Sequence, residues 1–183
     1  MSPRPRPDPR PGRRPRRLIA AEDLQSFRFP GDPQLSPDGR RALYTVKSIA
    51  GQDYRQHLWL GGGQFTRGKV SDALPRWSPD GTQIAFVRSA GGESQIWLMP
   101  SAGGEPRALT ALPPGKFRSL EWSPDGSRLA FAFRRDPGSG SKGARKPPLL
   151  RHITALRYKE EGKGFFDGER DHIWAARLDG RCE

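Results

Sequence analysis

The serines of this 183-residue chain are candidate nucleophiles, and their spacing argues against catalysis. The serine of a nucleophile elbow sits on a strained strand-to-helix turn, which requires glycine two residues before it and two residues after it. Among the serines only Ser94 has glycine two positions before it, Gly92, and two positions after it stands Ile96. We therefore predict no catalytic residue in this sequence.

The sequence likewise contains no motif for binding a metal ion or a cofactor. The chain has three histidines at wide spacings, too far apart for a helical metal site: His57, His152 and His172. The glycine-serine stretch 138–143 lacks the Gly-x4-Gly-Lys-Ser/Thr spacing of a phosphate-binding loop, and we interpret it as a flexible loop. The remaining carboxylate pairs fit solvated surfaces: Glu160 with Glu161, and Glu169 with Asp171. We predict no metal ion and no cofactor.

The formal net charge of +12 raises the question of nucleic-acid binding. Half of that excess lies in residues 1–17, which contain seven arginines and one aspartate, for a net charge of +6. This Pro/Arg arm has no apolar periodicity, so we predict that it is disordered. A basic arm can contact phosphates without sequence preference, but this one contains no aromatic side chain to stack on bases. A solvated tail is therefore favoured over a nucleic-acid partner.

Signals for export and membrane insertion are weak. The pairs Arg13-Arg14 and Arg16-Arg17 resemble twin arginines, but the apolar stretch 18–21 is far shorter than the about 7–15 residues of a signal peptide. No run approaches the about 18 apolar residues of a membrane helix. The single cysteine, Cys182, cannot form an internal disulfide, as is common in a reducing compartment. We predict a cytoplasmic protein that does not contact a membrane.

The elements around these residues come from an internal repeat. One turn phrase occurs three times, and a strand-like apolar run follows each copy: Leu35–Gly39, Trp77–Gly81 and Trp122–Gly126. The serines of successive phrases are 42 and 45 residues apart, and one four-stranded propeller blade takes about 40–45 residues. Proline presets φ, aspartate bonds the local backbone and glycine accepts a positive φ, so each phrase predicts a hairpin turn.

The run after each turn predicts a strand with one bulky face and one small face. The bulky faces carry Ala42, Tyr44 and Val46, then Ile84 and Phe86, then Leu129, Phe131 and Phe133. The small faces carry Ala85, Ala130 and Ala132. A third strand with a central tryptophan follows in each unit, at Trp59, Trp97 and Trp174, and we interpret all five tryptophans as core packing. Such two-faced strands fit sheets packed between neighbouring sheets.

We therefore predict an all-β fold, a partial β-propeller in a domain spanning residues 18–183. Its about three four-stranded blades would lie at about 33–70, 75–112 and 118–183, with an insertion at about 136–170 in the third. Closed propellers have about 4–8 blades, so two blade faces would be bare and apolar. We accordingly expect a fragment of a larger protein that can self-associate through its open edges.

The WD40-like turn repeat resembles that of TolB translocation proteins and of the prolyl oligopeptidase class of serine peptidases. Two further features favour the peptidases. Segment Arg17–Leu24 with Gly31–Leu35 resembles the leading helix and first strand of acylaminoacyl-peptidase-like members. The insertion resembles a mid-propeller segment of the same enzymes at Leu156–Lys159, Gly162–Gly168 and Arg170–Trp174. The resemblance covers about residues 17–180.

The resemblance implies the N-terminal, substrate-gating propeller of an acylaminoacyl-peptidase-like or dipeptidyl-aminopeptidase-like serine peptidase that hydrolyses short peptides. In that family the Ser, Asp and His triad lies in a C-terminal α/β-hydrolase domain, which we expect to be absent here, so the chain alone should be inactive. The implied partners are the peptide substrates of the full-length enzyme. The alternative is a TolB-like propeller that binds other proteins and has no enzymatic activity.

Overall fold

Three antiparallel sheets dominate the structure, a computed structural model that describes residues 18–136, 159–160, 164–165 and 170–182. The described residues form one 3-10 helix, Ala21–Ser26, and thirteen β-strands. In each sheet the strands lie side by side in chain order, as in a meander. This confirms the predicted all-β, partial-propeller architecture, and we call the sheets blades 1, 2 and 3.

The bounds of the strands follow the repeat. Blade 1 consists of β1 (Arg28–Leu35), β2 (Ala42–Ala50), β3 (Asp53–Leu60) and β4 (Gly63–Gln64). Blade 2 consists of β5 (Ser71–Trp77), β6 (Gln83–Ala90), β7 (Glu93–Pro100) and β8 (Arg107–Ala108). Blade 3 consists of β9 (Gly115–Trp122), β10 (Arg128–Arg135) and β13 (His172–Arg177). Along the chain, β10 and β13 are separated by a small two-stranded sheet of its own, β11 (Lys159–Glu160) with β12 (Gly164–Phe165).

The three turn phrases fold alike, which explains why the same residues recur. In each one the glycine amide donates to the serine carbonyl at 2.8–2.9 Å, and the glycine has a φ of 70–71°. The serine hydroxyl donates to the aspartate carboxylate at 2.5–2.6 Å and accepts the amide five residues further on at 2.9 Å. The serine therefore fixes the register at which the following strand begins.

The hydrophobic core lies between the blades. Between blades 1 and 2, Leu43 and Leu58 pack against Ile84 and Phe86, and all four side chains are fully buried. The cluster between blades 2 and 3 consists of Ala85, Val87, Ile96, Leu98, Leu109, Leu120, Leu129, Phe131, Phe133 and Ala176. Between blades 2 and 3 the bulky face of blade 3 packs on the face of blade 2 that carries Ala85, as the alternation along the strands predicts. Between blades 1 and 2 the bulky face of blade 2 packs instead on the larger Leu43 and Leu58.

Blade 3 ends differently from blade 2. After β13 the chain turns at Asp179 and Gly180, where the Gly180 amide donates to the Arg177 carbonyl at 2.9 Å, and Cys182 pairs with Ala176 in an isolated bridge. Within the described residues this sheet therefore has three strands and one isolated bridge. The arm at 1–17 and most of the insertion, including 137–158, lie outside the described residues.

Candidate axial site

The first strands of the three blades are joined by a single arginine. Arg76 of β5 lies between Asp32 of β1 and Glu121 of β9. Its Nη1 is 3.0 and 3.1 Å from the two carboxylate oxygens of Asp32, and its Nε is 2.8 Å from Oε1 of Glu121. Nη1 also donates to the carbonyl of Pro75 at 2.8 Å. One guanidinium thus connects all three blades, and we call these three charged residues the axial cluster.

Bulges in the first strands bring the axial cluster together. The register of β1 against β2 shifts around Asp32, and that of β5 against β6 shifts around Leu74. Both residues lie in the left-handed region, with φ of 46° and 51°, a conformation that costs a residue with a Cβ atom about 1–3 kcal/mol. A bulge re-aims the side chains next to it. The backbone strain therefore lies in the two bulges that bring the side chains of Asp32 and Arg76 together.

The electrostatics of the cluster keep Arg76 charged. Desolvation is the largest single effect and lowers the pKa of Arg76, because its side chain is mostly buried. Hydrogen bonds and charges from Glu121 and Asp32 together outweigh desolvation, so the pKa of Arg76 is raised above its ordinary value. The Glu121 side chain is largely exposed. The cluster therefore offers a buried cation and an accessible carboxylate.

A cavity of about 310 Å³ lies beside the cluster. Its walls are the ends of the first strands and the three turns: Gln34, Leu35, Pro37, Arg76, Trp77, Ser78, Pro79, Glu121, Trp122, Ser123 and Pro124. Small-molecule sites measure about 300–1,000 Å³, so this cavity lies at the lower end of that range. No histidine lines it, and the hydroxyl of Ser78 donates to Asp80. The cavity can bind polar chain atoms but holds no activated nucleophile.

A second cavity, also of about 310 Å³, lies between the 3-10 helix and blade 1. His57 lies inside β3 and lines this cavity, and its buried Nδ1 has no hydrogen-bond partner among the described residues. Desolvation lowers the pKa of His57, and the charges of Arg55 and Arg88 add to this while Asp72 opposes it. The guanidinium of Arg28 lies 5.5 Å from the centroid of the Trp59 ring in the same cavity. Burial therefore favours the neutral form of His57.

A buried ion pair joins the first two strands of blade 2. Arg88 Nε is 2.7 Å from Oδ1 of Asp72, and its Nη2 is 3.0 Å from Oδ2. Asp72 is completely buried, and the guanidinium lies 5.2 Å from the ring centroid of Phe86 and 5.1 Å from that of Trp97. Two parallel hydrogen bonds with stacked rings hold this pair in one geometry.

No motif in the sequence points to the axial cluster, and our prediction names no site residue. One signal was available, since Arg76 and Glu121 occupy the same repeat position, directly before a tryptophan, with opposite charge. Of the acidic residues that we had interpreted as surface, Asp171 lies 3.7 Å from Arg118 in an exposed pair. Within 18–136 and 170–182, no three His, Cys, Asp or Glu side chains are grouped so that they could hold a metal ion.

The chain is similar in sequence to two peptidases, although no protein-family model matches it. It is 34% identical over 167 residues to the uncharacterized peptidase YuxL of Bacillus subtilis, a match that covers 84% of this chain and 25% of YuxL. It is 31% identical over 154 residues to dipeptidyl-peptidase 5 of Porphyromonas endodontalis, covering 78% of this chain and 22% of that protein. The chain thus spans about a quarter of the length of the curated relatives it matches.

A solved structure supports the fold. The chain superimposes on an acylaminoacyl peptidase in complex with Z-Gly-Gly-Phe-chloromethyl ketone with a TM-score of 0.66 and 22% sequence identity, over 85% of this chain and 24% of that one. At this identity the likeness concerns the propeller fold. In the part of the chain that the structure describes, no helix has the length and apolar character needed to cross a membrane.

Proposed function

We infer that this chain, a relative of propeller-bearing peptidases, is the propeller part of a serine peptidase of the prolyl oligopeptidase class, close to the acylaminoacyl and dipeptidyl peptidases. The observation that carries the inference is the match to YuxL over 84% of the chain, together with a three-blade arc that superimposes on an acylaminoacyl peptidase. The reacting serine and its partners would be supplied by an α/β-hydrolase domain outside this chain. The TolB-like alternative is not favoured, because both relatives named above are peptidases.

The role of the arc in such an enzyme is to select peptides by size. The axial cavity supports this, since about 310 Å³ bounded by proline turns and tryptophans excludes folded proteins. Arg76 and Glu121 would meet the carbonyl and amide groups of an extended peptide, because both side chains line that cavity. The substrates are therefore short peptides. The arc controls which peptides reach the active site and supplies none of the reacting groups. We place the protein in the cytoplasm on the strength of its sequence composition.

A chimera tests this role. The segment of dipeptidyl-peptidase 5 that aligns with this chain is replaced by the chain itself, and the same enzyme without that segment is the control. We expect the chimera to cleave a chromogenic dipeptide substrate and to discriminate against a peptide of about 30 residues, which cannot enter a site this narrow. The control should lose that discrimination. A folded chimera that cleaves both substrates at equal rates, or neither of them, would contradict the proposal.

A further inference from the structure

The cavity between the 3-10 helix and blade 1 contains a cation without a counter-ion. The described residues that line it include one arginine, Arg28, and no aspartate or glutamate. Arg28 is exposed, and no carboxylate of a described residue forms an ion pair with it. The charge at this cavity therefore favours an anion.

The guanidinium of Arg28 lies over an aromatic ring, and this contact leaves its hydrogen-bond donors available. It is 5.5 Å from the centroid of the Trp59 ring, and the Tyr44 ring stacks on Trp59 with the two centroids 6.5 Å apart. The attraction between a cation and a ring acts through the face of the ring. The N–H groups of arginine lie in the plane of the guanidinium, in a fork that matches a carboxylate. Trp59 thus positions Arg28 without using these donors.

His57 is a second polar side chain of the wall that has no partner. It is 9% exposed, and neither ring nitrogen forms a hydrogen bond with a described residue. Nδ1 is out of reach of solvent and Nε2 is not, so Nε2 is the nitrogen that a bound molecule can contact. Buried polar side chains nearly always have a hydrogen-bond partner. The ring of His57 is therefore an independent indication of a ligand that accepts a hydrogen bond.

The two polar groups lie on one face of blade 1. His57 and Trp59 are two residues apart on β3, so their side chains project to the same side of the sheet, where Arg28 covers Trp59. Three apolar side chains, Phe27, Val46 and Ile49, form another part of the wall.

We propose that this cavity binds a small organic carboxylate. Its carboxylate accepts hydrogen bonds from the guanidinium of Arg28 and from Nε2–H of His57, and its apolar body packs on the apolar part of the wall. The volume of about 310 Å³ is that of a small-molecule site. Binding at this cavity is separate from the proposed peptidase function.

The test is a titration of the ¹⁵N-labelled full chain with benzoate, followed by NMR at about 0.15 M salt, where non-specific attraction between charges is largely screened. We expect the indole N–H signal of Trp59, assigned with Trp59→Phe, to shift with a Kd of about 1 mM or tighter. Benzamide has the shape of benzoate without its charge, and inorganic phosphate has charge without an apolar body. Each should bind at least about tenfold more weakly than benzoate.

Two substitutions locate the site. Arg28→Met keeps the apolar stem of the side chain and removes its donors, and His57→Phe keeps a ring in the wall and removes both nitrogens. Each should weaken benzoate binding by at least about tenfold. Arg118→Met is the matched control, because Arg118 is an exposed arginine outside the cavity, and it should bind benzoate as the parent chain does.

Three results would overturn the proposal. The first is a Trp59 signal that benzoate does not shift, and the second is binding of benzamide or phosphate as tight as that of benzoate. The third is a pair of variants, Arg28→Met and His57→Phe, that keep both the circular dichroism and the benzoate affinity of the parent chain.

Discussion

Replacing Asp72 by asparagine removes the counter-charge of the buried Arg88 guanidinium within blade 2, and we expect the fold to lose much of its stability. Asp72 is fully buried, the Arg88 side chain is 12% exposed, and two hydrogen bonds of 2.7 and 3.0 Å join them. The asparagine side chain keeps the volume of Asp72. The substitution therefore tests the charge rather than the packing.

The expected magnitude follows from the burial of the pair. Removing one partner of a buried ion pair typically lowers the free energy of unfolding by about 3–5 kcal/mol, because the remaining charge stays desolvated. In a chain of this length each 1 kcal/mol lowers Tm by about 2–4 °C, so Tm should fall by about 6–20 °C. Removing both charges with Asp72→Leu and Arg88→Met should cost less than either single change, since no charge is then left buried.

The assay is thermal and urea unfolding of the parent chain, the single variants and the double variant. Asp171→Asn is the matched control, because Asp171 lies 3.7 Å from Arg118 in an exposed pair, and such pairs contribute about 0–1 kcal/mol. If Asp72→Asn is no more destabilising than Asp171→Asn, the assignment of a buried, charge-paired site in blade 2 is wrong. A double variant that is less stable than both single variants would refute the reasoning about desolvation.

Three further substitutions or conditions test the rest of the fold by unfolding measurements. Phe131→Ala empties a fully packed site between blades 2 and 3 and should cost about 3–5 kcal/mol, whereas the half-exposed Phe29→Ala should cost far less. Gly81→Ala forces a residue with a Cβ atom to a φ of 70°, so about 1–2 kcal/mol should be lost, and a neutral result would contradict the turn geometry. The hydrogen bond from Ser123, then those from Ser127, lower the pKa of Asp125 from 3.8 to about 2, so its stabilisation is complete above pH 4 and is lost as the pH falls through 2. Asp125→Asn should flatten that acid limb of the stability profile, and an unchanged limb would show that this carboxylate does not contribute.

The turns and the two-faced strands could be predicted from the sequence because their causes are local. A Ser-Pro-Asp-Gly turn is closed by its own hydrogen bonds, and the alternation of Ile84, Ala85 and Phe86 alone assigns the two faces of a strand. Each of these turns places the first and second strands of its blade side by side.

The axial cluster could not be predicted in the same way. It depends on bulges where the non-glycine residues Asp32 and Leu74 adopt a positive φ, and no local preference of either residue demands that conformation. Burial of His57 likewise arises from packing between the 3-10 helix and blade 1, which residue types alone do not specify. Where a residue's position depends on contacts between segments that are distant in the sequence, it can be located only from the three-dimensional structure.

We expect the chain to contribute a propeller and to supply none of the reacting groups. The most direct measurement is the intact mass of the purified chain after treatment with a fluorophosphonate, which reacts with activated serines, combined with its rate of hydrolysis of acyl-aminoacyl and dipeptidyl chromogenic substrates. We predict an unchanged mass and no turnover above buffer. A serine adduct accompanied by turnover that the same reagent abolishes would contradict the claim.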